Sequence, residues 1–234
     1  MQTLAKMIDH SLLSPTMTDD ELRQGCELAR RYDVASVCIK PYAVPLAREL
    51  LAGSGVLVGT VIGFPHGSSV PEIKLAELMR ACDEGAHELD VVVNVGKVLS
   101  GDWAYVAHEV RTLTEAAHAR GAIIKVIFEN DFLPGDAPKI ELCRICAEAG
   151  ADFVKTSTGY GFVRGDDGRY GYLGATDHDL ALMREHSPAQ VQVKAAGGVR
   201  TLDDLLRVRA LGVTRVGATA TAVILDEARR RGVN

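Results

Sequence analysis

The stretch AIIKVIFENDFLPGDAPKIELCRICAEAGADFVKTST, residues 122–158, reads as strand, helix, strand. AIIKVIFE (122–129) and DFVKTST (152–158) are short runs rich in β-branched and aromatic residues, the composition of strands buried on both faces. Between them, APKIELCRICAEAG (137–150) carries Ile140, Cys143 and Ala147 at helical spacing and stops on a glycine. Two buried strands joined by a helix make a parallel βαβ unit.

Outward from this unit the same rhythm continues in both directions. Strands are expected at MIDHS (7–11), ASVCIK (35–40), VLVGTVIG (56–63), HELDVVVN (87–94), VQVKAA (191–196) and TRVGAT (214–219). Helices are expected in DDELRQGCELARRY, VPEIKLAELMRACDEG, WAYVAHEVRTLTEAAHARG, DHDLALMREH, TLDDLLRVRALG and AVILDEARRRG. Eight βα units in 234 residues fit a closed α/β barrel, a single-domain (β/α)8 TIM barrel spanning 1–234, better than a doubly wound sheet.

Composition narrows the function. The formal charge is −5, and the only cluster of basic residues is Arg229, Arg230 and Arg231, so no nucleic-acid footprint is expected. No run of about 18 apolar residues exists to span a membrane, and the first residues lack the apolar core of a signal peptide. Five cysteines in a chain large enough to fold unaided fit reduced thiols and a cytoplasmic protein. Cys143 and Cys146 form a C-x-x-C, but they sit in a helix stripe and are read as core. His10 and His66 lack ligand spacing to any Cys, Asp or Glu, so neither a metal nor a cofactor is expected. Apolar residues on the outer helices leave room for a homodimer.

In such barrels chemistry gathers where the strands end. Lys155 in DFVKTST and Lys194 in VQVKAA interrupt apolar strands, where a lysine is costly without a partner or a task. Burial and a second cation lower a lysine pKa, and a neutral amine can form a Schiff base with an aldehyde or ketone. Asp90, in ELDVVV, is a carboxylate that can serve as general acid and base or simply neutralise a lysine. Asp9, Lys125 and Glu129 are read as a polar network filling the barrel layers. AAGGVRT places Gly197 and Gly198 between a strand and a helix capped by Thr201, and VGATATAV repeats the arrangement one unit later. Such loops present backbone amides to an anion, so a phosphorylated ligand is expected. STGYGFVRGDDGRYGYLG adds further backbone donors after Lys155. These residues alone also admit an isomerase or epimerase using Asp90 as base, or a phosphosugar-binding barrel without turnover.

IDHSLLSP, VCIKPYAVPLA, GTVIGFPHG, ELDVVVNVGKVLSGDW, IIKVIFEN, DFVKTSTGYG, VKAAGGVRT and RVGAT, in this order, resemble the deoxyribose-phosphate aldolases across essentially the whole chain. The resemblance implies a metal-independent class I aldolase that reversibly cleaves 2-deoxy-D-ribose 5-phosphate to D-glyceraldehyde 3-phosphate and acetaldehyde. It implies Lys155 as the Schiff-base lysine, with Lys194 and Asp90 exchanging protons around it. It further implies a phosphate pocket at Gly159, Gly197, Gly198, Gly217 and Ala218, with Cys38 near the substrate. The chain departs from the family at two places. FVRGDDGRYGYL (162–173) intervenes before GATDHDLALM, and Gly217-Ala218-Thr219-Ala220 stands where a serine-bearing turn is usual, leaving Thr219 to supply a hydroxyl.

Overall fold

The computed structural model describes residues 3–165 and 167–233. All eight expected strands form and close into a parallel barrel. They are β1 (Ile8–Leu12), β2 (Ser36–Ile39), β3 (Leu57–Ile62), β4 (Glu88–Val92), β5 (Ile123–Ile127), β6 (Phe153–Lys155), β9 (Gln192–Ala196) and β10 (Arg215–Ala218). Around the barrel β6 pairs with β9, and β10 closes the ring onto β1. The numbering gap holds an element that the sequence reading treats as loop: β7 (Val163–Arg164) and β8 (Tyr170–Gly171) form a small antiparallel hairpin.

The helices α1 (Asp19–Tyr32), α3 (Pro71–Glu84), α5 (Trp103–Ala119), α6 (Ala137–Ala149), α7 (Asp177–Glu185), α8 (Leu202–Ala210) and α9 (Thr221–Arg231) are the seven expected from periodicity. Two short ones, α2 (Val44–Leu50) and α4 (Val95–Leu99), are additional. Local chemistry sets their limits. Thr18 and Glu21 form a capping box at the start of α1, and Thr201 with Asp204 does the same for α8. Gly85 and Gly150 end α3 and α6 in left-handed conformations open to glycine.

Two layers of opposite character result. Between strands and helices lies the apolar core, where Leu22, Cys26 and Ala29 of α1 are fully buried at the expected spacing. On α6 the buried face is Lys139, Leu142, Cys143, Ile145 and Cys146, so Cys143 alone of the expected stripe is fully buried, and Lys139 turns inward to pair with Asp179 of α7. Inside the barrel, β1, β4, β5, β6, β9 and β10 contribute charged residues, and these build the site.

A buried ion pair braces the barrel from outside. Lys74 of α3 is fully buried, and its Nζ donates to Glu109 Oε1 on α5 and to the Val92 carbonyl, both over 2.7 Å. Glu109 Oε2 accepts from the Asn94 amide at 3.1 Å, so one pair fixes the end of β4. Removing one partner leaves a buried charge uncompensated. Glu109→Ala is therefore expected to cost about 3–5 kcal/mol in urea unfolding.

Candidate active site

β6 ends at Lys155, which places its amine at the mouth of the barrel, and Lys194 stands directly beside it on β9. Asp90 joins them. Lys155 Nζ donates to Asp90 Oδ2 over 2.6 Å, and Lys194 Nζ donates to the same oxygen over 2.7 Å. The other oxygen, Oδ1, accepts from Lys125 Nζ at 3.0 Å. Cys38 Sγ lies 4.0 Å from Oδ2. Strand parity left open which face was interior; the register pairs Asp90 with Lys125 and Lys155 with Lys194, and all four point inward.

Beneath this layer runs a network that includes Asp9 and Lys125, as expected, and two residues the sequence reading overlooks, Glu88 and Arg215. Arg215 Nε donates to Asp9 Oδ1 at 2.8 Å, and Lys125 Nζ donates to Glu88 Oε2 at 2.6 Å. Arg215 also reaches Glu88, and Lys194 donates to Asp9 Oδ2. The signal for Glu88 was present: it shares strand parity with Asp90. Glu129 does not belong to these layers. β5 ends two residues earlier, and a left-handed backbone at Glu129 turns its carboxylate toward Thr158 instead.

The charges of this interior bear on which lysine gives up a proton most readily. Lys125, Lys155, Lys194 and Arg215, four basic groups, face Asp9, Glu88 and Asp90, three carboxylates. Excess charge in a dry interior is disfavoured, and loss of one proton removes the excess. Burial lowers the Lys155 pKa, the Lys194 ammonium adds to the lowering, and the single contact with Asp90 does not restore it. Burial acts on Lys194 too, but Asp9 and Asp90 together outweigh it and raise its pKa. The Lys125 pKa is also raised, because Asp90, Glu88 and Asp9 overcome its burial. Burial opposes ionisation of Asp90, yet the three lysines hold it far below the usual carboxylate range. Lys155 is thus the amine most readily freed of its proton. Burial, reinforced by Asp90, pushes the Cys38 thiol up to about 11, which keeps it protonated at neutral pH.

A cavity of about 300 Å³ opens onto Lys155, Lys194 and Cys38. Gly159, Gly197, Gly198, Gly217, Ala218 and Thr219 line the same cavity, so every residue singled out for an anion reaches the space beside the lysines. Gly197 must be glycine for two reasons: its φ is 85°, and a Cβ there would lie 3.0 Å from Gly174 Cα and 3.2 Å from the Tyr172 ring. The sequence reading does not single out the remaining wall. Arg200 brings a cation to it, and Tyr160, Phe162 and Tyr172 bring aromatic surface. Tyr160 meets Phe64 edge to face at 5.5 Å between centroids, and Phe162 meets Tyr172 at 5.4 Å. An amine of lowered pKa, a carboxylate in contact with it and a glycine-lined cavity are a set of groups able to act on a carbonyl compound.

Comparison with known proteins points the same way. The family model described as DeoC/LacD family aldolase matches residues 3–221. A deoxyribose-phosphate aldolase of Rhodopirellula baltica is 54% identical over 228 residues, covering 97% of this chain and 90% of the relative. One from Caldanaerobacter subterraneus subsp. tengcongensis is 42% identical over 234 residues, 100% of this chain and 96% of the relative. Among solved structures, the tetrameric deoxyribose phosphate aldolase of Aeropyrum pernix superposes with a TM-score of 0.85 at 31% identity, covering 98% of this chain and 92% of that one.

Proposed function

The chain belongs to the DeoC/LacD aldolase family, and on that premise we propose that it cleaves 2-deoxy-D-ribose 5-phosphate reversibly to D-glyceraldehyde 3-phosphate and acetaldehyde. It is a class I aldolase, working through a Schiff base. The observation that carries the residue assignment is the shared oxygen, Asp90 Oδ2, which touches the amines of both Lys155 and Lys194.

In this reading Lys155 Nζ attacks the C1 aldehyde and forms a carbinolamine. Lys194, charged beside Asp90, is the proton source, and Asp90 Oδ2 passes the proton to the departing hydroxyl. Loss of water gives an iminium, which restores the positive charge that neutral Lys155 had given up. The Asp90 carboxylate then stabilises that cation in a setting with little water. The iminium withdraws electrons, the C3 hydroxyl gives its proton back to the Lys194–Asp90 pair, and the C2–C3 bond breaks to release glyceraldehyde 3-phosphate and leave an enamine on Lys155. Protonation of the remaining enamine at C2 and hydrolysis free acetaldehyde and regenerate the amine.

The phosphate is assigned to the amides around Gly159, Gly197, Gly198, Gly217 and Ala218, with the Thr219 hydroxyl beside them. Cys38, a protonated thiol next to Asp90, contributes the apolar side of the aldehyde end. A cytoplasmic location belongs to the same reading and is supported by five free cysteines, four of them buried. Among the described residues no helix is long and apolar enough to cross a membrane. Exposed Val70, Ile73 and Leu99 offer apolar surface to a second copy, and a homodimer is the proposed assembly.

A coupled assay for glyceraldehyde 3-phosphate from deoxyribose 5-phosphate tests the activity; absence of product at any substrate concentration would refute it. The charge balance adds a pH dependence. The free amine fraction of Lys155 grows as pH rises through its folded pKa, which lies below the ordinary lysine value of 10.5. Reductive trapping of acetaldehyde on Lys155 is therefore expected to rise with pH and level off below the range of an exposed lysine. A plateau reached only near pH 10.5 would contradict the assignment of the neutral amine.

A further inference from the structure

The aromatic wall of the cavity is carried by the chain that leaves β6 and returns to α7, and both ends of that excursion are held by one short turn. The turn, Asn130–Phe132, is separated from the end of β5 by two residues. Glu129, at its start, is 1% exposed and one of two non-glycine residues with positive φ among the described residues, at 57°. Backbone of this kind costs energy and persists where the surroundings enforce it. Here the surroundings are the outgoing segment. Glu129 Oε1 accepts from the Thr158 amide at 3.0 Å, and the Thr158 hydroxyl donates to Oε2 while accepting from the Tyr160 amide at 2.9 Å. Gly161 lies against this carboxylate so closely that a Cβ would sit 2.6 Å from Glu129 Cδ.

Asp131 holds the returning segment. Its Oδ1 accepts from the Leu173 amide and its Oδ2 from the Gly174 amide at 3.1 Å. The next residue, Ala175, donates to the Gly197 carbonyl at 3.1 Å, so the anchored end is pressed onto the loop assigned to the phosphate. The turn itself is keyed to β6 by the Asn130 amide, which donates to the Thr156 carbonyl at 3.0 Å. Tyr160 and Phe162 on one flank and Tyr172 on the other line the cavity.

We propose that Glu129 and Asp131 are positioning residues, which fix the aromatic wall against the cavity and so set affinity for the phosphorylated sugar without taking part in imine formation. The proposal rests on the activity assigned above. Asp131→Ala is expected to raise KM for deoxyribose 5-phosphate about tenfold, the scale of losing hydrogen bonds to a charged acceptor. Turnover at saturation and the rate of acetaldehyde trapping on Lys155 are expected to stay within about twofold. Asp131→Asn, which keeps an acceptor oxygen, is expected to recover most of the affinity. The exposed Arg164 and Arg169 give a readout independent of activity, since trypsin cuts after either one. Cutting there should accelerate several-fold in Asp131→Ala and Glu129→Gln. An unchanged KM with unchanged cutting, or a loss of trapping in parallel with affinity, would overturn the proposal. A wild-type chain without cleavage activity would instead remove the functional reading and leave the tryptic comparison to decide the positioning role.

Discussion

Lys155→Met is expected to lower turnover by about 10⁵-fold, the scale of removing a covalent nucleophile, while leaving the barrel folded. Met keeps the apolar stem, so little cavity forms. Electrostatics favour the folded variant as well. With Lys155 gone, Lys125, Lys194 and Arg215 face Asp9, Glu88 and Asp90, three charges against three, and Asp90 still has two lysine partners. Thermal unfolding is thus expected at or above the wild-type temperature. Turnover within about a hundredfold of wild type would show that Lys155 is not the nucleophile. A variant that fails to fold would show that the charge balance is misjudged.

Asp90→Asn is expected to damage both stability and catalysis, for a single reason. Its carboxylate accepts from three lysines, and an amide in its place has one acceptor oxygen and an NH2 that meets only other donors. Four basic groups would then face two carboxylates in a buried site. The expected stability loss is about 3–5 kcal/mol by urea unfolding. Turnover should fall about 10³-fold or more, as the proton route between Lys194 and Lys155 is cut. The contact with Asp90 raises the Lys155 pKa, so its loss lowers that pKa further. Acetaldehyde trapping in Asp90→Asn should be slower, because imine formation uses the same proton route, but its rise should be displaced to lower pH. A displacement to higher pH would contradict the sign of the coupling.

Much of this was legible in the residues, and what was not has physical reasons. The barrel strands announce themselves because they are short buried segments between helical patterns, the clearest being rich in β-branched residues, as in LVGTVI of β3 and IIKVI of β5. The hairpin β7–β8 has strands of two residues among glycines and charges, too short for alternation to register. Helix α4 is five residues long, and α2 contains Pro45 in its first turn with Pro41 just before it, so neither shows a readable period. Lys155, Lys194 and Asp90 stood out as charges in apolar strands, and the glycine loops stood out as punctuation. Lys74 did not. A lysine in an amphipathic helix reads as solvated, and only the fold brings Glu109 and the Val92 carbonyl to its ammonium. Asp131 likewise looks like an ordinary loop residue until the chain returns at Leu173 and Gly174, 42 and 43 positions later.

Everything else depends on one specific amine, Lys155, whose pKa is lowered by burial, bonding to the substrate carbon. Borohydride reduction of the wild-type chain in the presence of deoxyribose 5-phosphate, followed by peptide mapping, tests it most directly. The account predicts one stoichiometric adduct, on Lys155, and none on Lys125 or Lys194, whose carboxylate partners keep them charged. An adduct on Lys194, or cleavage that proceeds with no adduct formed, would contradict it.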